Sequence, residues 1–163
     1  MGEVNLVMAR EEIPSGSSVF LAGPTPERGS GVPSWRPDAV AELAAQWRGA
    51  GALAVLSPES RGGVRAERYE DQVAAELAMI EAATAVLFWI PRCVRTMPGF
   101  TTNVEYGLVA GSRPERAVLG CPPCPSPERN RYLIWHARRL GIPVCDNLSE
   151  AVAAALELVA RTG

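Results

Sequence analysis

Two carboxylates in this chain stand alone among small or apolar neighbours. Glu105 lies in MPGFTTNVEYG (residues 97–107), and Glu76 lies in QVAAELAMIEAATAVLFWI, flanked by Ala74, Ala75, Leu77 and Ala78. An isolated acid in such a stretch has two readings. Thr102-Asn103-Val104-Glu105 matches a capping box, in which the glutamate reaches back to the cap residue's amide. Alternatively, an acid in the first turn of a helix at a ligand-binding edge stays ionised in the field of the helix dipole and serves as a nucleophile. Glu76 has its own plain reading, as a solvated helix residue. If the two acids converge, one can attack an anomeric carbon while its partner or solvent protonates the leaving group, the pairing that glycosidic chemistry uses.

The elements that must position these acids follow from periodicity. SVFLAG (18–23), ALAVLS (52–57), AVLFWI (85–90), AVLG (117–120) and IPVC (142–145) are short, rich in Val, Leu and Ile, and bounded by Gly or Pro, as buried strands are. Between them, segments 37–51, 67–83, 103–112, 126–141 and 148–162 carry apolar residues at helical spacing and end on or near small residues. Strict alternation predicts a single-domain α/β three-layer sandwich, flavodoxin-like or Rossmann-like, with a five-stranded parallel sheet wound right-handedly. Ligands bind such sheets beyond the carboxyl ends of the strands, where strand order reverses. The loops that follow the first four strands are long for βα connections, which marks this edge as functional. Residues 1–17 read as a flexible leader and residues 18–163 as the domain.

Composition removes whole classes of function. The 163 residues carry a formal charge of −2, and all 16 cations are arginine. Without lysine there is no Schiff base and no lysine-dependent phosphate loop. Scattered cations on an acidic chain predict no nucleic-acid partner. The longest apolar run, AVLFWI, is far below the roughly 20 residues that span a bilayer, so no membrane association and a cytoplasmic location are expected.

CPPC supplies Cys121 and Cys124, the only CxxC spacing among four cysteines. With no second pair and one histidine, His136, the reading is reduced thiols in a turn, with no metal and no cofactor. GAGALA (49–54) fits a loose dinucleotide pattern but ends a helix and opens a strand, the reverse of the order that the fingerprint needs.

In sequence, VFLAGPTP, SWRPDAV, the Glu76 helix, VLFWIPR and MPGFTTNVEYG resemble the nucleoside 2-deoxyribosyltransferase-like family over roughly residues 18–146. The resemblance implies a five-stranded flavodoxin-like fold and cleavage of the N-glycosidic bond of a nucleoside or its 5′-monophosphate. It puts the glutamate nucleophile on Glu105 and the family's helix acid on Glu76. The sugar then passes to water or to a second base, without metal or organic cofactor. The substrate-binding residues it implies are Phe20, Gly23, Pro24, Thr25, Trp35, Arg36, Arg92, Phe100, Thr102 and Asn103. Phe20 stands where many members have a tyrosine that bonds the nucleophile. No acid occurs in 91–104, so Thr102 or Asn103 would take the place of an aspartate that holds the sugar. Arg28, Arg36 and Arg92 sit on or beside the ligand loops, and Arg36 is the one expected to bind a phosphate or other anion. Trp35 or Phe100 is expected to stack on a base. The family also implies a homo-oligomer, a dimer or larger, whose sites borrow residues from a neighbour. The helix AVAAALELVA offers a surface for it, although facing its own sheet is the simpler use. The reading from another class is a non-catalytic nucleotide sensor that uses the same crevice, with Glu105 only capping its helix.

Overall fold

The computed structural model describes residues 2–123 and 126–162. Six strands form one parallel sheet: β1 (Val4–Met8), β2 (Ser18–Ala22), β3 (Leu53–Ser57), β4 (Ala85–Trp89), β5 (Ala117–Gly120) and β6 (Val144–Cys145). Five helices cross between or follow them: α1 (Arg36–Gln46), α2 (Tyr69–Ala82), α3 (Phe100–Ser112), α4 (Arg131–Leu140) and α5 (Leu148–Thr162). The strand order is β1-β3-β2-β4-β5-β6. This is the three-layer α/β sandwich expected, with one strand more.

That strand comes from the segment read as a loose leader. Val4–Met8 pair in parallel with Leu53–Ser57 along their whole length. Ala9 N–H donates to Glu59 O, and Arg61 closes the turn through an ion pair to Glu11. An edge strand covered on one side needs few apolar residues, and Leu6 is indeed exposed. Its pattern is therefore too weak to stand out against the buried runs.

β2, β3, β4 and β5 are buried at every position because helices cover both faces. On one face, α1 and α5 pack Ala39, Leu43, Ala151, Val152 and Ala155 against Val19, Leu21 and Leu87. α5 therefore spends its apolar stripe on its own sheet. On the other face, α2, α3 and α4 pack Met79, Tyr106, Val109, Leu133 and Ala137 against Phe20, Val86 and Phe88. From β2 the chain crosses to β3 on one side, then returns past β2 to β4 on the other. The loops after β2 and β4 thus diverge, and a crevice opens at the carboxyl edge between them.

Candidate functional site

The crevice is built from three loops and two helices. Gly23, directly after β2, has φ +155, and a Cβ there would stand 2.1 Å from Trp89 O. Only glycine lets β2 and β4 end this close together. After β4, Arg92 is buried and holds its own loop. Its Nε donates to Asn130 Oδ1 at 2.6 Å, its Nη2 to Asn103 Oδ1 at 2.6 Å, and its Nη1 to Pro98 O. Gly99 then turns left-handed, with φ 67, and α3 begins at Phe100.

This start overturns the capping box. The cap position is Gly99, with no side-chain bond, so Thr102 lies inside the first turn, buried at 3% exposure. Glu105 sits in the second turn. Periodicity could not place the start, because the bond from Arg92 to Pro98 and the left-handed glycine fix it from outside the helix.

Glu105 meets Glu76, which α2 brings from the opposite side of the crevice, and the two carboxyl groups are in hydrogen-bond contact. Gln72, one turn before Glu76, donates from Nε2 to Glu76 Oε1 at 2.7 Å and to Pro58 O at 2.9 Å. Burial and the neighbouring Glu76 charge push the Glu105 carboxyl up to about 8 from the ordinary 4.5, against the opposing pull of Arg36. The helix dipole does not keep this group ionised as expected. Beyond the first turn it is too weak to offset desolvation and a second acid. Glu105 is therefore mostly protonated in the resting site at neutral pH.

Arg36 lies beneath them. Its guanidinium donates to Leu21 O (3.2 Å), Gly23 O (2.8 Å), Thr25 Oγ1 (3.1 Å) and Glu59 Oε1 (3.2 Å). Glu59 Oε1 also accepts from Ser34 Oγ at 2.7 Å. Burial pulls the Arg36 pKa down, and the charges of Glu59, Glu105 and Glu76 push it back up. The expected anion ligand is thus an internal strut that fixes the loop after β2 and supplies positive charge under the acid pair.

Other expected ligand contacts also move. Phe20 is fully buried within β2, in the core that includes Tyr106. Trp35 is 7% exposed, donates from Nε1 to Pro24 O, and lies against the Arg36 guanidinium. Neither ring is open to a base. Arg92 spends its donors on Asn103, Asn130 and Pro98, so it too is a strut. Gly23, Pro24 and Thr25 do form the crevice loop, and Asn103 and Phe100 are exposed at the start of α3. Arg28 is exposed on the loop after β2. Sequence reasoning passed over Glu59, Gln72 and Asn130. Glu59 had a visible signal, an acid two residues beyond a fully buried strand at the active edge. Gln72 and Asn130 had none.

Among the described residues no group of three or more His, Cys, Asp or Glu side chains could hold a metal ion. Cys121 is buried and its thiol is pushed up to about 12 by desolvation. Cys124 lies outside the described residues.

A doubly covered parallel sheet with a carboxyl pair at the point where strand order reverses defines an α/β protein whose site acts on a small ligand. Residues 16–124 match the family model "Nucleoside 2-deoxyribosyltransferase like". The chain belongs to that family, and membership points to nucleoside glycosyl transfer and a small nucleoside substrate. No curated protein matches the chain. No helix among the described residues is long and apolar enough to cross a membrane.

Proposed function

We propose that this protein cleaves the N-glycosidic bond of a nucleoside or nucleoside 5′-monophosphate through Glu105. The observation that carries the reading is the contact between Glu105 and Glu76 at the switch-point crevice of a family member. In its ionised form, whose share grows as pH rises toward 8, the Glu105 carboxylate attacks the anomeric carbon from the face opposite the base. The C–N bond breaks, its electron pair leaves with the base, and Glu76 orients the sugar or assists the transfer of a proton from solvent to the departing nitrogen. Water or a second base then displaces Glu105 from the glycosyl ester. The sugar lies over the Gly23–Thr25 loop, and Phe100, whose ring is exposed, stacks on the base. No organic cofactor or metal takes part. The working unit is an oligomer in the cytoplasm.

The test is chromatography of free base after incubation with ribo- and deoxynucleosides and their 5′-monophosphates, with and without an acceptor base. Wild type is expected to release base, and Glu105→Gln to lose at least about a thousandfold in rate while keeping its fold. Dependence on the acceptor separates transfer from hydrolysis. Equal activity in wild type and Glu105→Gln would refute the nucleophile. Ligand binding without turnover across the panel would leave the crevice as a nucleotide sensor.

A further inference from the structure

Helix α2 brings a glutamine as well as a glutamate to the acid pair. Gln72 stands one turn before Glu76, and its half-buried amide has three partners. Nε2 donates to Glu76 Oε1 at 2.7 Å and to Pro58 O, on the loop after β3, at 2.9 Å, while Oε1 accepts from Arg10 Nη1 at 3.1 Å. The chemistry of these partners fixes which way the amide points. A backbone carbonyl only accepts and a guanidinium only donates, so turning the amide over would break both bonds at once. Nε2 therefore faces Glu76.

Arg10 belongs to the segment after edge strand β1, 62 residues before Gln72. Among the described residues it is the one non-glycine with positive φ, at 69, a conformation that most side chains avoid. Its turn is closed by Glu11 N–H donating to Met8 O and by Met8 N–H donating to Glu11 Oε2. From there Nη2 donates to Val64 O at 2.6 Å, so the guanidinium ties the loop after β3 to Gln72.

Other charges do not explain where the proton of the pair resides. Arg36, at the start of α1 with Glu59 behind it, acts on both Glu105 and Glu76, and the larger effect is with Glu105. Alone it would ionise Glu105 first. α3 holds no charged residue besides Glu105, and the other acids of α2, Glu70, Asp71 and Glu81, are exposed. A donor aimed at one carboxyl of a touching pair favours the charge on that one and leaves the proton to the other. Gln72 is such a donor, and it bonds Glu76 alone of the two. We propose that Gln72, oriented by Arg10, is a positioning residue that fixes Glu76 as the charged acceptor and so keeps the proton on Glu105. The segment around Arg10 thereby takes part in setting the state of the site. Burial of Glu105 acts in the same direction.

Carbon-13 NMR titration of the glutamate carboxyls, with Glu105→Gln identifying the signal, tests the proton placement without any substrate. Wild-type Glu105 is expected to titrate near 8. Gln72→Met keeps the length of the side chain and its helix preference but cannot donate. The proton then passes in part to Glu76, the charge pushing on Glu105 falls, and its midpoint should drop by at least about one pH unit. Arg10→Met, which frees the amide to turn, should shift it the same way, and Arg10→Lys, which still donates, should restore it. A brace between α2 and Pro58 alone would lower the melting temperature of Gln72→Met and leave the midpoint unmoved. A midpoint in Gln72→Met or Arg10→Met within about 0.3 unit of wild type, or a wild-type Glu105 that titrates near the ordinary 4.5, would overturn the proposal. Circular dichroism checks that each variant is folded. The effect on turnover rests on the catalytic reading: the acid limb of kcat should move down in pH with the midpoint. Base release with an unmoved limb would overturn the role in catalysis. No base release from any of the proteins would count against the catalytic reading, while the titration still decides the placement of the proton.

Discussion

At Glu105 the surroundings favour the neutral acid, and this has a consequence for stability. The carboxyl rises from 4.5 to about 8 because burial and Glu76 together outweigh the attraction of Arg36. Between those values the folded protein holds a proton that the unfolded chain has given up, so it binds more protons than the unfolded state. Stability is then complete below about 4.5 and declines as pH rises through 8. Thermal melts from pH 5 to 9 are expected to show that decline. Glu105→Gln, neutral at every pH, should flatten it and melt several degrees higher than wild type at pH 8. A wild-type melting temperature that rises across this interval would refute the raised carboxyl. Arg36 and Glu59 belong to the same account. A guanidinium buried to 2% exposure and bonded to Leu21 O and Gly23 O secures the loop, while its charge limits how far the acid pair is pushed up.

At the scale of elements, the site depends on how closely β2 and β4 end. Gly23 has φ +155, and an added Cβ would meet Trp89 O at 2.1 Å and the Trp35 ring at 2.7 Å. Backbone on one side and a buried ring on the other leave nothing that can yield cheaply. Gly23→Ala is expected to lower stability by about 3 kcal/mol, read as a shift in denaturant midpoint at unchanged slope. A shift under about 0.5 kcal/mol would show that the two strand ends can separate freely. The start of α3 is set in the same way from outside the helix, by Arg92, Pro98 and Gly99. A helix that opened at Thr102 would have put Glu105 in its first turn. The observed start puts it one turn later, facing α2.

At the scale of the whole molecule, the two helical layers distribute their apolar side chains differently. The α1/α5 layer spends its apolar side chains on the sheet, whereas the α2–α3–α4 layer keeps large apolar groups at its surface.

The alternation of strands and helices was legible in the sequence, and so was the approach of Glu105 and Glu76 to each other at the carboxyl edge of the sheet. Each rests on periodicity or on an isolated residue type, and those are properties of a few neighbouring positions. Edge strand β1 was not legible, because one covered side demands too little apolar pattern. Only the tertiary structure decided that Arg36 and Arg92 turn inward, that Phe20 and Trp35 are closed off, and that the two glutamates touch. The physical reason is range: a side chain's direction and its proton affinity are set by groups tens of residues away in sequence. Leu21 O lies 15 residues before Arg36, and Asn130 lies 38 residues after Arg92. No local spacing records that these groups meet.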